Sequence, residues 1–193
     1  MPRAIAAAIA AVVLASPSLA WAGSAIGLSA IIDNCQNSKL DPDTRISACS
    51  QLIRTNLLDH AFLGAFYTIR GEAYFAKADY DDALKDYDKA FELNPDFPQT
   101  SNNRGFLYQH LGKLDLAVQD FDRAGFLDLG SGKCANAIKN YSYALADDPK
   151  NAQALYGRGL CKARNGDAPG AQADAAAALA LDPHIDSEMA WPK

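Results

Sequence analysis

Residues 71–95 read GEAYFAKADYDDALKDYDKAFELNP, and this stretch carries a pattern that returns along the chain. Small residues stand at Gly71, Ala83 and Ala90, and Pro95 closes the stretch. The pattern returns about 34 residues later and again near the C-terminus. The matching residues are Gly105, Tyr108, Ala117, Phe121 and Ala124, then Gly159, Ala171, Ala178 and Pro183. One repeated helical hairpin is therefore predicted to build most of the protein.

The composition bounds the class of protein. The 193 residues are enough for one domain or for a short repeat array with a continuous core. Apolar residues make up 49% of the chain, which is not the composition of a disordered protein. The net charge of −5 and the lack of a long basic run argue against nucleic acid or anionic lipid as the main partner.

Residues 1–22 are predicted to be a cleaved signal peptide. Arg3 supplies the positive start, residues 4–15 are an uninterrupted apolar run, and an A-x-A cleavage site ends at Ala22. A membrane anchor is the alternative, but the apolar run is shorter than the ~20 residues that cross a bilayer. The mature chain is therefore expected in the periplasm or secreted, with no membrane insertion after cleavage.

Residues 23–59 are predicted to form an N-terminal helical cap over the first repeat. Asp41 and Pro42 mark a helix start, as an N-cap followed by proline at the first helical position. Cys35 and Cys49 flank this start, either as a redox pair or as a structural disulfide. They lack the C-x-x-C spacing usual for a redox site, which favours a disulfide that ties two helices together. Such a bridge stabilises by about 3 kcal/mol in the chain-entropy model.

The repeated pattern resembles the tetratricopeptide repeat (TPR). With Gly64 counted as position 1, small residues fall at positions 8, 20 and 27, aromatic residues at 11 and 24, and proline at 32. The resemblance extends over residues 64–185 as three and a half repeats, with a tail at 186–193. It implies an all-α fold, a short TPR-like α-solenoid of antiparallel helix hairpins. The block before the repeats also resembles a segment of bacterial periplasmic TPR proteins.

The middle of the chain is 14 residues short of the repeat period. Pro95 and Pro149 are 54 residues apart, where two full repeats need about 68. The loss falls near Ala124 and Gly125, because these residues end one repeat and continue the next. One continuous helix over residues 114–129 is therefore predicted where a complete array has two helices. A long loop is the alternative, but the apolar residues of this stretch keep helical spacing.

No motif in the sequence indicates catalysis, a metal or a cofactor. The histidines, His60, His110 and His184, are far apart and lack metal-ligand spacing. Cys134 and Cys161 are either a second disulfide or free thiols buried among alanines. If the thiols are free and reactive, a small enzyme or thiol-based redox factor is the alternative function.

Charged residues also recur with the repeat. At position 7 stand Arg70, Arg104 and Arg158, and at position 23 stand Asp86, Asp120 and Asp174. In the third repeat these places hold Ala124 and Asn140, so both charges are lost together. Because a buried charge left alone is costly, the pattern predicts an arginine–aspartate bridge within each of the other three hairpins. The alternative is that the arginines bind an anionic ligand.

The resemblance implies a concave groove that takes an extended peptide or a partner helix. The residues that map to this groove are Thr68, Glu72, Phe75, Asn102, Phe106, Gln109, His110, Tyr156, Leu160 and Arg164. Thr68 and Glu72 stand where chaperone-binding TPR proteins have the lysine and asparagine that hold a C-terminal carboxylate. A C-terminal peptide is therefore not the expected ligand. The alternative is that some of the aromatic groove residues only pack between repeats.

These observations predict a non-catalytic protein–protein interaction scaffold in the bacterial cell envelope. We expect this chain to bind a protein partner, and we expect it to bind neither nucleic acid nor a cofactor. One alternative is a structural subunit of an envelope assembly that binds through its convex face. The shortened array also leaves room for self-association through an apolar flank.

Overall fold

The computed structural model describes residues 21–55 and 58–188, where the chain forms helices and no strand. In chain order the helices are α1 Trp21–Gln36, α2 Pro42–Arg54, α3 His60–Ala76, α4 Tyr80–Leu93, α5 Pro98–His110, α6 Leu114–Gly130, α7 Cys134–Asp147, α8 Ala152–Arg164, α9 Ala168–Leu181 and α10 Ile185–Glu188. No helix among them is long and apolar enough to cross a membrane. The all-α prediction is confirmed for this part of the chain. The predicted signal peptide, except its last two residues, and the tail after residue 188 lie outside the described residues.

The chain divides into two compact units, α1–α4 and α5–α10. The first unit is built around a disulfide, because Cys35 in α1 and Cys49 in α2 are bonded with their Cα atoms 4.9 Å apart. Both cysteines are fully buried, and Ile32, Leu52 and Phe66 pack beside them. The predicted disulfide-tied helical cap is therefore present, and its apolar face is covered by α3.

The turns inside the hairpins depend on one left-handed residue at repeat position 15. Gly112, Gly132 and Gly166 hold φ angles of 70°, 72° and 85° there. Glycine adopts this conformation without a steric penalty. Ala78 occupies the same place in the first hairpin with a φ of 63°, which costs about 1 kcal/mol for a residue with a Cβ atom.

At three places in the chain, neighbouring helices approach closely where a glycine faces an aromatic ring sixteen residues later. A Cβ atom on the glycine would lie 2.8–2.9 Å from the nearest ring atom in all three cases. The pairs are Gly71 with Tyr87, Gly105 with Phe121, and Gly125 with Tyr141. In the last hairpin the place of the ring is taken by Ala175, and Gly159 approaches the carbonyl oxygen of Ala171 instead.

The shortened middle of the chain is one continuous helix, α6, which ends one residue beyond the predicted range. It packs against both α5 and α7. This arrangement leaves α5 and α7 near enough for a direct hydrogen bond, in which Asn102 Nδ2 donates to Asn140 Oδ1 over 2.6 Å. The core of the second unit lies among these helices and α8, around Phe121, Leu129 and Tyr141.

Candidate protein-binding surfaces

Each predicted arginine–aspartate pair joins the two helices of one hairpin. In all three pairs, the guanidinium Nε and Nη2 donate to the two carboxylate oxygens over 2.7–2.9 Å. The pairs are Arg70–Asp86 in the first unit, and Arg104–Asp120 and Arg158–Asp174 in the second. Because each guanidinium already holds a buried carboxylate, the structure favours the structural interpretation over an anionic ligand.

The pKa values of the aspartates in the first and last pairs are shifted in opposite directions. Burial raises the pKa of Asp86 above its ordinary value, although the hydrogen bond from Arg70 opposes the shift. Burial acts in the same direction on Asp174, but this group accepts hydrogen bonds from both Arg158 and Lys162. The two cations together hold the pKa of Asp174 below its ordinary value.

The third repeat replaces the ion pair by a hydrogen-bond network around Asn140. Asn140 is buried, and its Nδ2 donates to Asp128 Oδ2 over 2.9 Å while its Oδ1 accepts from Asn102. Both sides of the amide are therefore satisfied where the other repeats have a charged pair.

Three predicted groove residues belong to the first unit. Thr68 is buried, and its Oγ1 donates to the carbonyl oxygen of Gly64 over 3.0 Å. The prediction that Thr68 lines an open groove is therefore wrong, because this side chain turns back onto its own helix. Glu72 accepts a hydrogen bond from the buried Arg45 over 3.2 Å. Phe75 packs on Tyr80 with ring centroids 5.6 Å apart.

The predicted groove residues of α5 contact α7 instead of an open space. Asn102 bonds Asn140, and Gln109 Nε2 donates to Asp147 Oδ2 over 2.6 Å. Between them, the Phe106 ring centroid lies 4.8 Å from that of Tyr143. These three side chains therefore fasten α5 to α7, while His110, at the end of α5, is exposed.

The predicted groove residues of α8 also serve the packing of the second unit. Tyr156 and Leu160 are partly buried against the core. Arg164 Nη1 donates to the carbonyl oxygen of Leu129 at the end of α6 over 3.3 Å. The alternative that some of the aromatic groove residues pack between repeats thus describes Phe106 and Tyr156.

The two remaining cysteines are buried thiols that are not bonded to each other. Cys134 begins α7 and Cys161 lies inside α8, both in the core of the second unit. Burial, together with the neighbouring Cys134, raises the pKa of the Cys161 thiol well above its ordinary value. A thiol nucleophile needs a lowered pKa and access to solvent, so this environment is that of a packing residue.

An open cleft of about 670 Å³ lies in the second unit and was not predicted from the sequence. We call it the acidic cleft. Its lining combines apolar side chains with five aspartates and no lysine or arginine. The lining residues are Leu114, Asp115, Val118, Gln119, Asp122, Asp147, Asp148, Asn151, Ala152, Gln153, Asp182 and Ile185. One feature of the sequence could have indicated this cleft, because an aspartate precedes the repeat-ending proline twice, at Asp148 and Asp182.

Asp122 is the most constrained carboxylate of the acidic cleft. Asn151 caps α8 by accepting from Ala154 N over 3.0 Å, and its Nδ2 donates to Asp122 Oδ2. Asp122 Oδ1 is buried and has no hydrogen-bond partner. Burial raises the pKa of Asp122 to about 6, and the neighbouring charge of Asp148 adds to the shift.

Replacement of Asp122 by asparagine is expected to change how stability depends on pH. A carboxyl whose folded pKa is about 6 and whose unfolded pKa is about 3.9 binds its proton more tightly in the folded state. Its ionisation therefore destabilises the fold as pH rises from about 4 to 6, and the penalty is constant above that range. We expect wild type to lose on the order of 2 kcal/mol relative to Asp122→Asn across this window, measured by urea denaturation.

The matched control is Asp33→Asn in α1, where the aspartate is also helical but exposed. It removes the same charge, and its stability difference from wild type should stay within about 0.5 kcal/mol at each pH. A flat difference for Asp122→Asn as well would contradict the assigned environment of Asp122.

The chain matches two family models of the same repeat. Residues 71–112 match a model of the TPR repeat, and residues 127–184 match a model of the tetratricopeptide repeat. Together the two ranges include more than half of the chain.

Curated relatives are much longer than the region they share with this chain. The heat shock protein sti1 homolog of Schizosaccharomyces pombe is 31% identical over 111 residues, which are 58% of this chain and 18% of that protein. DnaJ homolog subfamily C member 7 of Homo sapiens is 34% identical over 99 residues, which are 44% of this chain and 20% of that protein. The chain thus spans about a fifth of the length of these relatives.

Among solved structures, MamA from Desulfovibrio magneticus RS-1 is similar with a TM-score of 0.44 and 18% identity. The match covers 82% of this chain and 97% of the MamA chain. A likeness at this level says nothing about function.

Proposed function

Because the chain belongs to the tetratricopeptide repeat family, we propose that it is a non-catalytic scaffold that holds a protein partner in the bacterial cell envelope. Stacked helix pairs of this family present surfaces for protein binding. In this chain the acidic cleft is the observation that carries the proposal, because it is open while most of the predicted groove set is occupied by internal contacts.

The location in the envelope is supported by two features of the sequence and the fold. Residues 1–22 have the composition of a signal peptide. The bonded Cys35 and Cys49 suit a compartment where disulfides persist.

The environment of the two free cysteines does not favour the alternative function, a thiol-based redox factor. Cys134 and Cys161 are buried, and the raised pKa of Cys161 keeps this thiol protonated at neutral pH. The scaffold proposal therefore places function on the surface of the second unit rather than on a reactive group.

A pull-down from envelope extract tests the scaffold function. The full chain carries a C-terminal affinity tag, so that cleavage of the leader does not remove the tag. We expect one protein to be recovered in near-stoichiometric amount and to be identified by mass spectrometry. An identically tagged unrelated periplasmic protein is the control, and recovery of nothing beyond that control would contradict the scaffold function.

A further inference from the structure

We propose that the acidic cleft binds an amphipathic segment of a partner protein that carries lysine or arginine beside apolar residues. This inference rests on the proposed scaffold function and assigns its binding surface. The occupant follows from the two kinds of side chain that the cleft brings together.

The apolar part of the cleft on α6 is formed by Leu114 and Val118. Leu114 and Val118 are one helical turn apart, so they lie on one face. Leu114 is 46% exposed although it is a large apolar residue. Val118 and Ala152 are partly buried and Ile185 is 1% exposed, so Leu114 supplies most of the open apolar surface. Apolar side chains from a partner would therefore gain burial here.

The charged part of the cleft has no cation of its own. Among the described residues, none of its aspartates forms a salt bridge. Instead Asp147 accepts from Gln109, Asp148 accepts from the Lys150 backbone, Asp182 accepts from the His184 backbone, and Asp122 accepts from Asn151. Several carboxylates without a counter-ion create a negative potential that attracts a basic ligand and steers its approach.

The spread of the carboxylates favours a peptide over a metal ion. The described part of the chain holds no group of three or more acidic, cysteine or histidine side chains able to bind a metal. Lysine and arginine side chains are long enough to reach separate carboxylates from one backbone. A nucleic acid would be repelled by the same charges.

Fluorescence anisotropy with a defined probe tests the inference on the full mature chain. The probe is a labelled peptide of about 12 residues with lysine at every fourth position and leucine beside it, a spacing that places each type on one helix face. We expect saturable binding that weakens as salt is added, because exposed charges are screened. The same peptide with glutamate in place of lysine should not bind. Equal binding of both peptides would overturn the inference.

Two double variants with the same net charge locate the binding. Asp115→Asn with Asp148→Asn removes two charges from the cleft and should weaken binding by at least about tenfold, worth roughly 1.4 kcal/mol. Asp81→Asn with Asp33→Asn removes two exposed charges elsewhere, and Asp81 occupies the same place in the first turn of α4 as Asp115 does in α6. This control should bind within about twofold of wild type. If the cleft variant binds as tightly as the control, the cleft is not the site.

A second pair of variants tests the apolar contribution. Leu114→Ala should weaken probe binding about fivefold or more, because it removes apolar area from the cleft. Leu181→Ala is the matched control, since Leu181 is 45% exposed and does not line the cleft. Equal affinities of the two variants would reduce the site to charge attraction alone and overturn the amphipathic assignment.

The pull-down separates failure of this inference from failure of the proposed function. Loss of the partner in the Asp115→Asn, Asp148→Asn variant supports the cleft assignment. A partner recovered equally by wild type and by this variant overturns the cleft assignment and leaves the scaffold function intact. No partner with wild type contradicts the scaffold function itself.

Discussion

Gly157→Ala is expected to lower the free energy of unfolding by about 2–3 kcal/mol. A Cβ atom at this position in α8 would lie 2.6 Å from Cε2 of Tyr141 and closer still to its Cζ. The ring has no room to retreat, because a Cβ on Gly125 in α6 would lie 2.8 Å from the same ring. Overpacking a closed core costs about 1–3 kcal/mol and sometimes more, which outweighs the ~1 kcal/mol that alanine gains over glycine in a helix. Urea denaturation followed by circular dichroism measures the loss.

Gly27→Ala is the matched control for this substitution. Gly27 is also helical, but a Cβ atom there would meet nothing within 4 Å. This variant should be more stable than wild type by about 0.5–1 kcal/mol, since alanine is the better helix former. Tyr141→Phe adds a second check, because the Tyr141 hydroxyl is buried without a hydrogen-bond partner. Its removal should be neutral or slightly stabilising. A stable Gly157→Ala protein would mean that the α6–α7–α8 packing is looser than described.

Arg104→Ala is expected to cost about 3–5 kcal/mol, the range found when one partner of a buried ion pair is removed. Asp120 is 4% exposed and accepts two hydrogen bonds from Arg104, over 2.8 and 2.9 Å. Without the guanidinium, the buried carboxylate loses both of these hydrogen bonds and the positive charge that faces it. Urea denaturation measures this loss as well. We expect the variant to keep its helix content in water and to unfold at a lower urea concentration.

The third repeat shows which second change should restore stability. It has Ala124 and Asn140 in place of the charged pair, and the asparagine is fully hydrogen-bonded. The double variant Arg104→Ala, Asp120→Asn copies this combination, and we expect it to recover at least half of the loss. A double variant as unstable as Arg104→Ala would show that lost packing of the arginine side chain, not the unpaired charge, sets the cost.

Contacts within one hairpin could be predicted because they repeat at a fixed sequence separation. Glycine faces an aromatic ring sixteen residues on, as Gly71 faces Tyr87, and arginine meets aspartate at the same separation, as Arg70 meets Asp86. The single helix α6 also followed from the sequence, because a shortened period with unbroken helical spacing leaves no turn.

The groove could not be predicted, because its residues were assigned from complete arrays. In this chain the shortened middle brings α7 beside α5. The side chains of Asn102, Phe106 and Gln109 therefore contact α7. The acidic cleft was missed for a related reason. Its aspartates range in the sequence from Asp115 to Asp182, and they line one cleft only in the folded chain.

Titration calorimetry of the recovered partner into the full chain tests most directly whether the acidic cleft binds that partner. Wild type and the Asp33→Asn, Asp81→Asn control should bind with affinities within about twofold of each other, while Asp115→Asn, Asp148→Asn binds at least about tenfold more weakly. That result would place the function on the surface of the second unit. Equal affinities for all three proteins would contradict it.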